Sequence, residues 1–474
     1  MKILSAREVR EAEEYTLQAD GITVRTLIER AAAALAAAVR LRADYGAKIC
    51  FVCGEGNNGA DGITAAEYLT EFSPAVVRVA DGGDGLRKFI ESVADYDIIV
   101  DAVFGTGLNR MIEGTLCGVI AAINGSRAFV ISADIPSGLN ADTGDIMGVC
   151  VDADLTVGFG VLKRGHLFLY GRDMCGETVC ADIGLKFPHE NYPEVLTDFT
   201  VPGRKSKSNK GDYANVKIIA GSRRMPGAAV LSMRAAESAL RSGAGLVTLG
   251  VPQSVLPAYA ARTVESMLFP LSDGPGGLVF AEQEIRAFLE KADVLIIGSG
   301  LGRNQEIALL LEFVLREYAL KVIIDADGLN MLREEMLPGS RCNIVLTPHV
   351  AEFSRLSGYG VYDVERNMID LAREYAARNA CTVVLKSNTT VITDGERVRV
   401  YAAGSAALAK GGSGDVLAGI TGGLSAFMPL TSAAEAACGI LAECAAAYPD
   451  YSVHSITASD LIKKIPYILK KHVK

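Results

Sequence analysis

The sequence predicts two α/β domains in series, each a mainly parallel sheet with helices on both faces. Three observations predict it. Apolar runs of strand length alternate with helix-length segments, once over residues 48–135 and again from Val216 onward. A polar stretch rich in breakers, Lys186–Asp212 with Pro188, Pro193, Pro202 and Gly203, lies between the two series. The 474 residues, 50% of them hydrophobic and 49 of them glycine, suit two well-packed domains with tight turns at strand ends.

The elements follow in order. Ser5 and Glu8 form a capping box, and residues 5–42 read as helical, with an alanine-rich buried part from Leu27 to Leu41. Lys48–Cys53 reads as a strand ending in glycine, Asp61–Phe72 as a helix, Ala75–Val79 as a strand and Leu86–Ala94 as a helix. Ile98–Val103 and Phe129–Ile135 are two more strands. Lys186–Asp212 is the linker, giving domains over 1–205 and 206–474. The second series places strands at Val216–Ala220, Val247–Val251, Val294–Ile297, Lys321–Asp325, Asn343–Leu346 and Thr382–Lys386, with helices between.

Composition narrows the function. A net charge of -9 repels nucleic-acid phosphates, and the short run Arg204-Lys205-Ser206-Lys207 reads as exposed linker, so no nucleic-acid partner is expected. The start MKILSAREVREAEEY lacks the apolar core of a signal peptide, and no apolar run reaches the roughly 18 residues of a membrane span. A cytoplasmic protein without membrane contact is expected. The ten cysteines follow no disulfide frame and read as free thiols, with Cys50-x-x-Cys53 inside a strand as core packing. The five histidines show no metal-ligand spacing.

Ligands on parallel sheets bind at the carboxyl ends of the strands. Gly54-Glu55-Gly56-Asn57-Asn58-Gly59-Ala60-Asp61-Gly62 follows a strand and opens a helix, where backbone amides and the helix N-terminus favour phosphate. Asp101–Leu108 and Ala133–Gly138 each place an acid or a hydroxyl at another strand end. Asn58, Asp101 and Ser137 offer oxygen ligands with a single carboxylate, a set that suits a large monovalent cation better than zinc or magnesium. The alternative is that these three groups bond to nearby turns, with Asp101 capping the amides of Thr106 or Gly107. In the second half, Gly411-Gly412-Ser413-Gly414-Asp415-Val416-Leu417-Ala418-Gly419 is a glycine turn entering a helix. Its amides make an anion hole for a phosphoryl group, and Asp415 can take a proton from an attacking hydroxyl.

Taken together, the three N-terminal segments resemble the NAD(P)H-hydrate epimerase domain over residues 1–205, a Rossmann-like α/β/α sandwich. The resemblance implies that Asn57, Asn58, Gly59, Ala60 and Asp61 bind the hydrated nucleotide, with Gly105, Thr106, Gly107, Leu108, Asn109, Arg110, Met111 and Asp134. It implies potassium on Asn58, Asp101 and Ser137. Lys163, within Phe159–Gly165, matches the family pattern and joins Asp134 as a catalytic candidate. Epimerisation requires hydroxide to leave the reduced ring and return on the other face, and Asp134 is the first candidate for the acid–base residue that shuttles the proton. Ala60 stands where the family usually has glycine.

The glycine motif around Asp415 resembles that of ribokinase-like kinases. Gly298–Gly302, Asp325–Asn330, Thr347–Glu352, Lys386–Thr390 and Asn209–Tyr213 are similar to the NAD(P)H-hydrate dehydratase branch, over residues 206–474. The resemblance implies that Ala228, Gly302, His349 and Asp415 contact the hydrated nucleotide. Lys386, Ser387, Asn388, Thr389, Thr390 and Gly414 would contact ADP or AMP. Asp415 would deprotonate the ring hydroxyl, ADP or ATP would phosphorylate it with magnesium offsetting charge, and phosphate would leave. Ser299 replaces a usual proline, Val350 and Ser387 usual glycines, and Asn209 a frequent histidine. The implied partners are NADHX, NADPHX and ADP or ATP, and a homo-oligomer is expected. Two rival readings are a sugar or vitamin kinase with a fused binding domain, and a non-enzymatic N-terminal module for ligand sensing or protein interaction.

Overall fold

The computed structural model describes residues 1–79, 82–223 and 226–474, with the backbone alone for 82–84 and 226–230. The chain divides into two compact units, Met1–Glu194 and Val195–Lys474.

The first unit opens with two helices, Ala6–Asp20 and Val24–Arg42, where the sequence suggested continuous helix over residues 5–42. The break falls at Gly21, whose φ of 63° is the left-handed cap conformation that glycine takes without strain. The Ser5–Glu8 capping box forms, with Glu8 N donating to Ser5 Oγ (3.2 Å) and Ser5 N to Glu8 Oε2 (2.7 Å). Six parallel strands follow, in the spatial order Ala75–Arg78, Ile49–Cys53, Ile98–Ala102, Phe129–Ala133, Leu155–Phe159 and Glu177–Ala181. The order reverses between Ile49–Cys53 and Ile98–Ala102, which opens a crevice at their carboxyl ends. Period-two alternation puts Phe51 and Cys53 in one core layer and Cys50 and Val52 in the other. The Cys-x-x-Cys pair is therefore split between the two faces of the sheet. Helix Asn57–Glu67 begins four residues ahead of the expected Asp61. The glycine turn itself forms the first turn: a Cβ on Gly59 would lie 1.9 Å from Gly54 O, so a side chain is excluded there.

The second unit carries a larger sheet. In space its strands run Met267–Leu271, Leu246–Pro252, Asn215–Ile219, Val294–Ile297, Lys321–Ile324, Asn343–Leu346 and Thr382–Leu385, all parallel. An antiparallel pair, Thr390–Thr393 and Val398–Tyr401, continues the sheet; the sequence reading did not mark it. Here the strand order reverses between Asn215–Ile219 and Val294–Ile297, and Gly221 N bonds to Ser299 O (2.8 Å) across that point. Part of the stretch expected as linker is packed into this unit. Leu196 N donates to Val400 O (2.9 Å), Val201 pairs with Val473, and both side chains are buried in the core. Phe199 stacks on His472 with ring centroids 4.0 Å apart, and Arg204 of the basic run lies 4.1 Å over the Tyr213 ring.

Candidate active site

In the first unit a cavity of about 740 Å³ opens at the crevice. Asn57, Asn58, Asp61, Gly105, Thr106, Gly107, Leu108, Arg110, Asp134 and Lys163 line it, whereas Gly59, Ala60, Asn109, Met111, Asp101 and Ser137 do not. Glu13, reaching in from helix Ala6–Asp20, lines it too and was not singled out from sequence.

Asp134 and Lys163 form a buried ion pair in it. Asp134 follows strand Phe129–Ala133 with a φ of 67°, a left-handed conformation rare outside glycine. Its amide donates to Val157 O (2.8 Å), and its carbonyl accepts from His166 Nε2 (2.8 Å). His166 Nδ1 accepts from Lys163 N (3.2 Å), which fixes the tautomer with the proton on Nε2. Burial first, and the Lys163 charge second, push His166 down to about 4, so the ring is neutral. One buried imidazole thus ties the backbones of Asp134 and Lys163 together. The Lys163 ammonium donates to Asp134 Oδ1 and to Phe159 O (3.0 Å), with its side chain only 1% exposed. Asp61 lies in the second turn of helix Asn57–Glu67; burial, with the Asp134 and Glu13 charges adding, pushes its carboxyl up to about 8. Burial and Asp134 raise Glu13 as well.

Asp101 is fully buried and bonded away from Thr106 and Gly107. Its Oδ1 accepts from Ser137 Oγ (2.5 Å) and Val103 N (3.3 Å), and its Oδ2 from Ser132 Oγ (2.9 Å) and Ser137 N (2.8 Å). Ser137 Oγ accepts in turn from Phe104 N (2.8 Å), which anchors the start of the Gly105 loop. Asn58 is different: it is buried, and neither amide atom has a partner among the described residues. Its side chain would lie 3.3 Å from a Cβ on Gly105. An orphaned amide of this kind fits an oxygen-bound cation. Among the described residues, no group of three or more His, Cys, Asp or Glu could hold a metal ion. Ala60 is helical, so its methyl replaces the usual glycine without strain.

In the second unit Gly414, Asp415, Lys386 and His349 come together with Asp325 at the carboxyl edge. Gly412, at φ 97°, caps helix Ser413–Leu424 and turns the chain so that Asp415 enters its first turn. Asp415 is buried, its Oδ1 has no partner among the described residues, and Ser299 hydrogen-bonds the carboxyl. Burial raises Asp415 to about 6, with the Ser299 bond pulling the other way. Asp325, which the sequence reading kept only as part of a motif, is the hub. Its Oδ1 accepts from Thr347 Oγ1 (2.8 Å) and Lys386 Nζ (3.2 Å), and its Oδ2 lies 3.1 Å from where a Gly414 Cβ would stand. Burial alone would lower Lys386, but the Asp325 and Glu352 carboxylates more than offset it and the ammonium stays charged. Lys386 N donates to Pro348 O (2.9 Å), which brings His349 alongside.

His349 caps helix Val350–Ser357, accepting from Glu352 N at Nδ1 (3.3 Å), and its ring remains exposed. Val350 opens that helix, so the usual glycine is not needed there. The Gly302 amide is taken by Asp327 Oδ2 (2.8 Å). Ser387 and Asn388 are exposed, Thr389 is buried and Thr390 begins a strand. Ala228 lies in helix Pro226–Arg241, and its side chain falls outside the described residues. A further cavity, of about 470 Å³, sits at the opposite edge of this sheet, against Asp212, Tyr213, Lys321 and Arg341. It gathers none of the predicted site residues.

Comparison with known proteins bears on both units. Residues 216–467 match the family model described as NAD(P)H-hydrate dehydratase, and residues 24–85 and 77–165 match that of the YjeF-related protein N-terminus. The chain is 33% identical to the bifunctional NAD(P)H-hydrate repair enzyme Nnr of Thermofilum pendens, over 88% of this chain and 86% of that one. It is also 33% identical to the Nnr of Coxiella burnetii, over 91% of each. Among solved structures it is similar to the ADP/ATP-dependent NAD(P)H-hydrate dehydratase from Bacillus subtilis co-crystallized with ATP and magnesium. The TM-score there is 0.51 at 30% identity, over 58% of this chain and 95% of that one. A ribokinase-like superfamily protein of Enterococcus faecalis gives 0.52 at 26% identity, over 60% of this chain and 99% of that one.

Proposed function

Because this chain belongs to the family of bifunctional NAD(P)H-hydrate repair enzymes, we propose that its two sites divide the repair. Residues 1–205 interconvert the epimers of hydrated NADH and NADPH; residues 206–474 return the S epimer to NAD(P)H with ADP or ATP. The chain is an isomerase and a lyase in one.

The observation that carries the second half is Asp415: a buried carboxyl whose Oδ1 has no partner among the described residues, in the first turn of a glycine-capped helix. There it takes the proton of the ring hydroxyl, whose oxygen attacks the terminal phosphorus of ADP or ATP and releases AMP or ADP. The phosphorylated ring then loses phosphate and a proton from the neighbouring carbon, and the double bond returns. Phosphorylation makes a poor leaving group a good one, and the amides entering helix Ser413–Leu424 supply the anion hole. Gly414 and Lys386–Thr390 take the ADP or AMP moiety, and Ala228, Gly302 and His349 the hydrated nucleotide. Asp325, whose Oδ2 faces Gly414, would hold magnesium through a hard oxygen, and the ion's charge would offset that of the phosphoryl group.

In the first half, Asp134 and Lys163 are the reacting pair, with the 57–61 and 105–111 loops binding substrate. For potassium, the Asn58 amide, without a partner among the described residues, supports the fit, while Ser137 and the fully bonded Asp101 supply a hydroxyl and a negative charge. Ten free cysteines support a reducing, cytoplasmic location, and among the described residues no helix is long and apolar enough to cross a membrane.

One incubation tests the whole. A mixture of both hydrate epimers with ADP or ATP and magnesium should return entirely to NADH, followed by absorbance, with free phosphate as co-product. A stable phosphorylated product would instead identify a kinase. Rapid recovery of one epimer alone would remove the epimerase. Replacing potassium by lithium, or Asp101 by alanine, should slow epimerisation and leave dehydration unchanged.

A further inference from the structure

Of the carboxyl groups lining the cavity of the first unit, Glu13 is half-buried, Glu14 and Glu55 are exposed, and Asp61 is the one besides Asp134 that is buried; no chemistry has been given to it. Asp61 lines the same 740 Å³ space as Asp134 and Lys163 and is 8% exposed. Among the described residues nothing hydrogen-bonds its carboxyl: burial, Asp134 and Glu13 act against its charge, and Lys163 alone acts for it. Asp134 is the opposite case, held by the Lys163 ammonium and by Phe159 N (3.3 Å). A bare carboxyl and an ion-paired one in a single cavity are environments that separate an acid from a base.

Epimerisation needs one of each. The hydrated ring is a carbinolamine, with its hydroxyl on a carbon bonded to the ring nitrogen. Hydroxide is a poor leaving group, so the oxygen must be protonated as the C–O bond breaks, and the water that returns must give up a proton. We propose that Asp61 donates the proton to the departing hydroxyl and that Asp134 accepts the proton of the returning water, a division of labour that rests on the epimerase reading above. The C–O electron pair leaves with oxygen, which departs as water carrying the Asp61 proton, while the nitrogen lone pair forms a C=N bond. Water then bonds to the same carbon from the other face, the C=N pair returns to nitrogen, and the surplus proton passes to Asp134. Relay of that proton to Asp61 through cavity water completes the cycle, with nothing oxidised or reduced. At neutral pH Asp61 still carries the proton this role requires, since burial pushes it up to about 8.

The test uses the full chain with Asp61→Asn and Asp61→Ala, measuring kcat and KM for epimerisation of the R epimer; dehydration of the S epimer serves as an internal check on folding. The expected result is a loss of roughly 10²–10⁴-fold in kcat for both variants, with KM within a few-fold of wild type. Formate, entering the space left in Asp61→Ala, should restore at least about tenfold there and nothing in Asp61→Asn, whose amide fills the space. A kcat near wild type in either variant, or a loss in Asp61→Ala that formate leaves unchanged, overturns the assignment. A wild-type chain that never converts the R epimer overturns the epimerase reading and this proposal with it.

Discussion

Replacing Lys163 by methionine isolates the worth of the buried pair. The lysine side chain is 1% exposed and that of Asp134 12%, so neither charge is well hydrated. Methionine keeps most of the length and leaves the Asp134 carboxylate with the Phe159 amide at 3.3 Å as its remaining hydrogen-bond donor. Removing one member of a buried pair costs about 3–5 kcal/mol, because the other charge stays behind uncompensated. The lower end applies here, since Asp134 borders a cavity that admits water. In a unit of this size each kcal/mol moves the midpoint by roughly 2–4 °C, so the first unit should melt roughly 6–12 °C lower. The double variant Lys163→Met/Asp134→Asn carries neither charge and should recover most of the loss. Calorimetry on the full chain, with the midpoint of the second unit as reference, reads both effects. A shift under about 2 °C in the single variant, or a double variant no more stable than the single, would refute the pairing argument.

Three further outcomes follow from the geometry. His166 is neutral when folded and titrates near 6.5 when free, so its contribution is complete above that pH and is lost as the pH falls toward 4. That loss is worth about 3 kcal/mol, and His166→Asn should flatten the acid side of the first unit's pH–stability curve, whereas an unchanged curve would deny the ring its role. Ser299→Ala removes a bond that favours ionised Asp415; since the base must be ionised, the acid limb of the dehydratase pH–rate profile should move up from about pH 6, and a limb that stays or falls contradicts the contact. Gly414→Ala puts a methyl 3.1 Å from Asp325 Oδ2 and 3.6 Å from Lys386 Nζ; KM for ADP or ATP should rise about tenfold while thermal stability holds or gains up to ~1 kcal/mol from the better helix former, and unaltered nucleotide kinetics would place the site elsewhere.

Much of this was legible in the sequence because parallel strands buried on both faces are short apolar runs, and their ends are marked by glycine or an acid. Ile98–Ala102 and Val294–Ile297 were found that way, and so were the loops that follow them. What escaped depends on distance along the chain or on look-alike chemistry. Glu13 enters the cavity from a helix more than forty residues before the glycine loop, and no local pattern announces it. Asp325 ends a strand as any capping aspartate might; its importance comes from Lys386 and Gly414, far off in sequence. Residues 195–203 read as linker because Pro193, Pro202 and Gly203 bracket them and their apolar residues follow neither a strand nor a helix period, yet Leu196 and Val201 anchor the segment in the core. Gly59 looked like part of a loop because its role is to let helix and strand backbones touch.

The backbone of Asp134 has one more consequence. A residue with a side chain held at φ 67° gives up about 1–2 kcal/mol relative to a relaxed conformation, and glycine would recover it. Glycine at this position alone would strand the buried Lys163 ammonium without its carboxylate, at a cost of about 3–5 kcal/mol that outweighs the strain relieved. The strain can be recovered only by a chain that gives up both partners, as Lys163→Met with Asp134→Gly would. A screen that rewards heat resistance alone must therefore cross a less stable single variant before it reaches an inert, relaxed protein, and that valley shields the aspartate.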